Sequence, residues 1–118
     1  MNWENALQSG QEIILATSSK NGEPHAIVVI SYGILDGKLL IGVCQMKTSL
    51  ENLQENNLVS MVAKYNEEYY RIEGQVDIQS SGKYFEVVLK ISEPPLPVKV
   101  LVIAIKEVFD LDKKERII

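Results

Sequence analysis

Two dipeptides that favour tight turns, Asn21-Gly22 and Asp36-Gly37, divide the first part of this sequence into three β-rich runs. The runs are Glu12–Thr17, His25–Tyr32 and Lys38–Val43, and all three are rich in Ile, Val and Leu. An Asn-Gly or Asp-Gly pair between apolar runs is a strong short-range signal for a hairpin. Because strands joined by hairpins run antiparallel, these residues predict a three-stranded antiparallel meander.

The rest of the sequence alternates further strands with short helices. Leu58–Ala63 and Tyr69–Ile78 are rich in Val, Ile and Tyr, and the polar Asn66-Glu67-Glu68 between them predicts a hairpin turn. Gly74, inside the second of these strands, predicts a bulge or a bend. Apolar residues at helical spacing predict three short helices, over Asn2–Gln8, Thr48–Gln54 and Lys83–Lys90.

The last long run, Val98–Phe109, follows the stiff segment Pro94–Pro97 and is apolar on both faces of a strand. One face carries Val98, Val100, Val102, Ala104 and Val108, and the other carries Leu101, Ile103 and Ile105. Six mostly sequential antiparallel strands most economically close into a small barrel, since closure removes exposed edges. The second apolar face then needs a cover from outside the barrel. A second copy of the chain is the expected cover, so the sequence predicts a homodimer.

Composition excludes several classes of function. The net charge of -4 argues against a general nucleic-acid binder, and no segment approaches the run of about 18 apolar residues that a membrane span requires. With one cysteine, Cys44, and one histidine, His25, there is no Cys/His set for zinc, so no metal site is predicted. The first residues lack the pattern of a secretory signal, which predicts a cytoplasmic location. The mixed-charge segment Lys113-Lys114-Glu115-Arg116 predicts a solvated tail.

A strand-to-helix junction is the main candidate for a binding site. The apolar run ending at Val43 is followed by Lys47, Thr48 and Ser49 and then by a predicted helix. A helix start offers free N–H groups and a positive dipole end, and the ammonium and two hydroxyls add further complements to a phosphate dianion. Since Ser and Thr are also ordinary helix caps, the alternative is a capped surface helix with no ligand.

The order and spacing of several segments resemble the FMN-binding split-barrel family, which includes pyridoxamine-phosphate-oxidase-like proteins and small FMN-binding proteins. The resemblance covers about residues 11–109. Its segments are Ala16-Thr17 followed by Asn21-Gly22-Glu23-Pro24-His25, then Leu35-Asp36-Gly37-Lys38-Leu39-Leu40-Ile41, then Met46-Lys47-Thr48 followed by Asn52-Leu53 and Asn56-Asn57-Leu58-Val59-Ser60, and lastly Arg71-Ile72-Glu73-Gly74. It implies a mainly β fold, a six-stranded antiparallel Greek-key split β-barrel with short flanking helices, formed by a single domain over residues 1–118.

The resemblance also implies that FMN lies at a homodimer interface. It implies that the ring is bound by main-chain groups of two segments, Val28, Val29, Ile30 and Ser31 on the first and Val43, Cys44 and Gln45 on the second. It implies that the phosphate is bound by Lys47, Thr48 and Ser49. Relatives often place Asn, Thr or Arg on the second strand, where this chain has Val28–Ile30. The vitamin-forming oxidases of the family carry a histidine-containing segment near the C-terminus. This chain has no histidine after His25, so it is not expected to make pyridoxal phosphate.

The resulting hypothesis is a flavin-dependent redox protein that passes electrons or a hydride through FMN. No residue is assigned as a catalytic acid or base, and the substrate and the small-molecule or protein redox partner stay open. One alternative is a binding module for another cofactor, deazaflavin or haem, with His25 as the only imidazole that could ligate iron. Another is a dimeric barrel without a cofactor.

Overall fold

The computed structural model of the chain describes residues 2–118 and is dominated by β-strands. The elements, in chain order, are α1 (Asn2–Asn5), β1 (Glu12–Ser18), β2 (Pro24–Leu35), β3 (Lys38–Val43), α2 (Thr48–Glu55), β4 (Leu58–Tyr65), β5 (Glu68–Gln79), α3 (Lys83–Ile91), β6 (Lys99–Asp110) and β7 (Glu115–Arg116). Among these residues, no helix has both the length and the hydrophobicity of a membrane span.

The first six strands form a closed antiparallel barrel, as predicted. Neighbouring strands follow the order β3-β2-β1-β4-β5-β6, and β3 also pairs with β6, which closes the sheet. The predicted strands agree with the observed ones to within a few residues. One terminal prediction was wrong, since α1 ends at Asn5 and not at Gln8. The segment Lys113–Arg116 is exposed, as predicted, and its last two residues form β7, which pairs with β6 at Phe109 and Asp110.

The barrel is split along one side of β2. The strand pairs with β1 from Pro24 to Ile30, but it pairs with β3 only at Ser31, Ile34 and Leu35. Within the described chain, the half of β2 before Ser31 therefore has no strand neighbour on the side away from β1. We call this side of β2 the open edge. Helix α2, which follows β3, contacts both β1 and β2.

Inward-facing side chains from all six strands fill the barrel. Leu15, Met61, Ile72, Leu101 and Ile103 are fully buried members of this core. Alternation along a strand separates Tyr70, which is buried, from Tyr69, which is exposed on the outer face, as the period of two predicts. The core thus uses one face of each strand and leaves the other face available for helices or for a partner.

A bulge opposite Gly74 changes the alternation of the last long strand. Glu73 pairs with Glu107 and Gly74 pairs with Ile105, so Lys106 is the extra residue. A Cβ on Gly74 would lie 2.6 Å from Ile103 Cγ2 and 3.1 Å from the Ala104 carbonyl oxygen, which explains the glycine. The predicted bulge is confirmed. The extra residue moves Val108 into the barrel core, so its assignment to the same face as Val100 and Val102 was wrong.

The second apolar face of β6 is covered by the chain itself. Val100 and Val102 pack in a separate cluster with Leu40 and with Val88 of α3, whereas Leu101 and Ile103 are fully buried inside the barrel. The expectation that a second copy covers this face was therefore wrong. Helix α3 covers this face of β6 within the same chain, so any homodimer must use a different surface.

Candidate functional site

The start of α2 presents main-chain donors that the helix itself does not use. The first helical hydrogen bond runs from the Glu51 N–H to the Lys47 carbonyl oxygen, so the N–H groups of Thr48, Ser49 and Leu50 precede the intrahelical ladder. Lys47 occupies the N-cap position, and no side chain within residues 2–118 caps the helix. Thr48 and Ser49 therefore do not act as ordinary caps, which removes support for the capped-helix alternative.

A buried hydroxyl at the same helix start has no partner. Ser49 is 1% exposed, and its Oγ makes no hydrogen bond to any described residue. Lys47 and Thr48, the residues just before it, are exposed. A buried polar group normally has a hydrogen-bond partner, so an orphaned hydroxyl points to a missing ligand or water. Free N–H groups, an exposed ammonium and this hydroxyl together form a complement to an anion.

Helix α2 is anchored to the barrel by polar and apolar contacts. The Asn52 side-chain amide donates a hydrogen bond to the Thr17 hydroxyl of β1 over 3.0 Å, and both residues are buried. Leu53, on the next position of the helix, is part of the barrel core. These contacts hold the helix start at the open side of the barrel, because α2 can neither rotate nor slide without breaking them.

A cavity of about 390 Å³ lies between α2 and the β1–β2 hairpin. Its lining includes Thr48 and Asn52 from α2, Pro24 and His25 from the start of β2, and Lys20 from the hairpin loop. His25 is half-buried here. The sequence showed no sign that α2 packs against this hairpin.

The open edge of β2 offers main-chain groups near this helix start. The Ser31 N–H donates to the Gln11 carbonyl over 2.9 Å, and the Ser31 carbonyl accepts from the Gly10 N–H over 2.8 Å, so Ser31 uses its main chain on the β1 side. Main-chain groups alternate in direction along a strand, so those of Val28 and Ile30 point towards the open edge. The Val28 and Ile30 side chains are 62% and 45% exposed on the outer face.

Three of the sequence-predicted site residues face the barrel interior. Val29, Ser31 and Val43 are buried. The Ser31 hydroxyl donates to the Leu7 carbonyl over 2.6 Å and accepts from the Gly33 N–H, so it has no free donor for a ligand at the open edge. The Val43 carbonyl accepts from the Val98 N–H. These residues build the wall of the site, and their side chains do not enter it.

The segment between β3 and α2 is close to the Pro94–Pro97 connection. Cys44 is half-buried, and its Sγ lies 3.5 Å from the Pro95 carbonyl oxygen. Gln45 is exposed. The structure therefore places Thr48 of the helix start beside Pro24 and His25 at the beginning of β2, with Val28 and Ile30 farther along the same strand and Cys44 and Gln45 on the segment between β3 and α2.

An apolar surface covers the outer face of β1, β2, β4 and β5. We call it the outer patch, and it comprises Ile14, Val28, Ile30, Val62 and Tyr69. Apart from the half-buried Val62, each of these side chains is more than 40% exposed, and a cavity of about 230 Å³ lies among them. Ile14 was not among the residues predicted from the sequence, although its alternation with the buried Ile13 and Leu15 signals an outward position. An exposed apolar patch of several adjacent side chains is typical of a protein interface.

Beside the outer patch, Arg71 of β5 lies in a charged cluster. Its guanidinium stacks on the Phe109 ring, with Cζ 4.7 Å from the ring centroid. Nε is buried and forms an ion pair with Glu73, 3.2 Å from its Oε1. Nη2 lies 3.8 Å from Glu107 Oε1. The guanidinium is therefore held between the Phe109 ring and the carboxylates of Glu73 and Glu107.

Comparison with known proteins gives the same fold. The sequence pattern of the family described as Pyridoxamine 5'-phosphate oxidase matches residues 2–112. Among curated proteins, none is significantly similar to the chain in sequence. The solved structures with this fold include HupZ from Group A Streptococcus, which is 18% identical, with a TM-score of 0.84, over 97% of this chain and 94% of its own.

The descriptions of two further structures with this fold name a ligand. An FMN-binding protein from Syntrophomonas wolfei is 15% identical, with a TM-score of 0.71, over 93% of this chain and 82% of its own. HutZ, described as the haem storage protein from Vibrio cholerae, is 12% identical, with a TM-score of 0.69, over 92% of both chains. At these identities the likeness shows the fold alone. The family match over residues 2–112 confirms the resemblance: the chain belongs to the pyridoxamine 5'-phosphate oxidase family.

Proposed function

We propose that this chain binds FMN at a homodimer interface and acts as a flavin-dependent redox protein. The observation that carries the proposal is the start of α2, where the orphaned Ser49 hydroxyl lies beside free N–H groups and the exposed Lys47 ammonium. A phosphate dianion can accept from all of these donors, and a cation near it offsets its charge. The residues present therefore fit the phosphate end of FMN.

The main-chain groups of Val28 and Ile30 at the open edge would hold the flavin ring, with Cys44 and Gln45 on the opposite segment. The exposed Val28 side chain offers apolar contact. Bound FMN supplies electron or hydride transfer through its ring, and the protein contributes position and electrostatics. The outer patch supports a second chain beside this site, because an apolar surface next to a ligand site is well suited to be an interface.

The absence of histidine after His25 is the reason not to propose pyridoxamine 5'-phosphate oxidation for this chain. Its last residues offer Lys113, Lys114 and Arg116, and all three are exposed. The proposed function is therefore flavin binding with redox chemistry on another substrate.

The first test is the absorbance of the purified protein and its titration with FMN. We expect a flavin band at about 450 nm. We expect Lys47→Ala to weaken FMN binding by about 1.5–3 kcal/mol, the range for a hydrogen bond to a charged group, without unfolding the protein. Lys90→Ala, which removes an exposed lysine from α3, serves as the matched control. Equal dissociation constants for the parent and Lys47→Ala would remove Lys47 from the site.

Riboflavin separates recognition of the phosphate from recognition of the ring. We expect riboflavin to bind much more weakly than FMN, because the donors at the start of α2 are assigned to the phosphate. Lys47→Ala should not weaken riboflavin binding further. Comparable affinities of the parent for FMN and riboflavin would place recognition on the ring instead.

Haem is the second candidate ligand. It is favoured by one observation, that His25, the only histidine, is half-buried and lines the cavity beside α2. HutZ, which shares this fold, is described as a haem storage protein. A sharp band at about 410 nm after haem addition, lost in His25→Ala, would support this candidate over FMN.

A further inference from the structure

A second cavity, of about 270 Å³, lies between α1, the start of β5, the end of β6 and β7. We call it the terminal cavity, and its lining includes Trp3, Glu68, Tyr70, Asp110 and Glu115. One water occupies about 30 Å³ in the liquid, so the cavity has room for a small organic molecule. None of the residues assigned to the proposed FMN site lines it.

Strand pairing brings three carboxylates and a tyrosine to one face of this part of the sheet. Tyr70 pairs with Asp110, and Asp110 pairs with Glu115, so the three residues form a row across β5, β6 and β7. Glu68 lies two residues before Tyr70, and every second side chain of a strand points to the same face. Glu68 and Asp110 are therefore diagonal neighbours, with Cα atoms about 7–8 Å apart.

Asp110 is the most buried of these carboxylates, at 4% exposed. Its Oδ1 accepts hydrogen bonds from the main-chain N–H groups of Asp112 over 3.0 Å and Lys113 over 2.9 Å. Within residues 2–118, no donor bonds to its other oxygen, Oδ2. Because a buried charged group needs hydrogen-bond partners, Oδ2 lacks a donor. Asp110 lines the terminal cavity, so a ligand there is positioned to supply that donor.

Within the part of the chain that the structure describes, no cation pairs with these carboxylates. Lys113 also lines the cavity, but it is exposed and forms no ion pair with the carboxylates of the lining. Burial raises the pKa of the Tyr70 hydroxyl, and the charges of Glu68 and Asp110 raise this pKa further. The potential inside the cavity is therefore negative and favours a bound cation.

The lining favours an organic cation over a metal ion. Among the described residues, no three His, Cys, Asp or Glu side chains are grouped so that they could hold a metal ion. Trp3 and Tyr70 are buried and add aromatic surface, which attracts ammonium groups. The free Oδ2 of Asp110 needs an N–H donor, and a primary ammonium has three such donors whereas a quaternary ammonium has none.

We propose that the terminal cavity binds a small aliphatic diamine, with one ammonium on Asp110 Oδ2 and the other on Glu68. The excess of carboxylates over cations in the lining favours a dication. The diagonal spacing of Asp110 and Glu68 suits two ammonium groups joined by a short alkyl chain, which would lie against Trp3. This site does not depend on the proposed FMN site, because the two share no residues.

Trp3 is the only tryptophan of the chain, so its emission reports on this cavity. Titration with putrescine, a four-carbon diamine, should change the emission until it saturates and should raise the melting temperature. Butanediol lacks the charges and tetramethylammonium lacks N–H donors, so each should bind at least about 10-fold more weakly. Equally tight binding of butanediol would overturn the proposal. So would the absence of both an emission change and a heat of binding with millimolar putrescine.

Asp110→Asn separates the ligand site from the fold. The amide oxygen of Asn can still accept from the two main-chain N–H groups, but its NH₂ group replaces the free acceptor Oδ2. Putrescine should therefore bind about 10- to 100-fold more weakly, the scale of a hydrogen bond between charged groups. Asp77→Asn, at an exposed position of β5 outside the cavity, is the matched control and should keep the parent affinity. Unchanged putrescine affinity in Asp110→Asn would overturn the assignment.

Glu68→Gln gives a second measurement that leaves Asp110 intact. Gln keeps an acceptor for the Asn2 side-chain amide, which donates to Glu68 Oε1 over 2.6 Å, but it loses the charge. It should weaken the binding of putrescine and leave that of butylamine, which has a single ammonium, unchanged. An equal loss for both amines would overturn the placement of the second ammonium.

A lysine side chain of another protein carries the same ammonium group as a free amine. Acetyl-lysine amide, with its side-chain amine free, is a model of such a side chain. It carries one charge, so it should bind more weakly than putrescine. Tighter binding of the lysine model than of putrescine would overturn the assignment to a free diamine.

Discussion

The Asn52 amide of α2 and the Thr17 hydroxyl of β1 form a buried hydrogen bond of 3.0 Å that joins the helix to the barrel wall. This contact lies within two turns of the helix start at Lys47, where the proposed phosphate site begins. A ligand site built from main-chain N–H groups depends on where its helix is held. The polar contact therefore couples the stability of the barrel to the geometry of the site.

Replacing Asn52 tests this coupling. Asn52→Ala should lower the free energy of unfolding by about 1–3 kcal/mol, because it leaves the buried Thr17 hydroxyl without its partner. It should also weaken FMN binding, since α2 loses an anchor. Urea denaturation and FMN titration measure the two effects. Gln54→Ala, at an exposed position of the same helix, is the control, and unchanged stability of Asn52→Ala would show that the hydrogen bond does not hold α2.

The outer patch predicts a variant that separates the subunits without unfolding them. Ile14 is 47% exposed and lies between Val28 and Val62 in the middle of the outer patch. Ile14→Glu should convert the dimer to a monomer, since two carboxylates would be brought into an apolar interface. Sedimentation equilibrium measures the change. Ile91→Glu, on α3 outside the patch, should remain dimeric, and a parent protein that is already monomeric would refute the assembly.

The close approach at Gly74 predicts a steric effect on stability. Gly74→Ala should lower the free energy of unfolding by about 1–3 kcal/mol, because its Cβ would meet both the Ile103 side chain and the backbone of Ala104. Chemical denaturation measures the loss. Gln75→Ala, at the exposed neighbouring position, should have little effect. Equal stability of the two variants would mean that the bulge relaxes without cost.

An exposed ion pair joins α3 to the β2–β3 turn and predicts a pH dependence. The Lys83 ammonium donates to the Asp36 carboxylate, which lowers the pKa of Asp36 below 3.8 and raises the pKa of Lys83 above 10.5. The contribution to stability should therefore be present between these values. It should be lost as the pH falls through the folded-state pKa of Asp36, or rises through that of Lys83.

The variant Asp36→Asn tests this predicted dependence of stability on pH. It retains a residue that tolerates the positive φ of 54° at this turn but removes the charge. The parent should be slightly more stable than the variant at neutral pH, and the difference should vanish in acid and in high salt, as expected for a surface pair. Thermal melts over a pH series measure it, and a difference that persists in strong acid would contradict the ion-pair explanation.

Local sequence determined most of the secondary structure of this protein. Asn21-Gly22 and Asp36-Gly37 lie in hairpin connections, and apolar runs between turn signals became strands, because turn geometry and side-chain alternation depend on a few adjacent residues. Gly74 was informative for the same reason, since a glycine inside a strand indicates a bulge or a close contact. The order of several short segments also identified the family.

Tertiary structure alone decided which faces are covered and which groups are free. The extra residue Lys106 shifts the alternation of β6, so Val108 enters the core, and α3 covers Val100 and Val102 where a second chain was expected. Pairing between distant strands gives β2 its open edge and aligns Arg71 with Val28 across the outer face. Such relationships depend on the register between residues far apart in the chain, and a shift of one residue reverses every face.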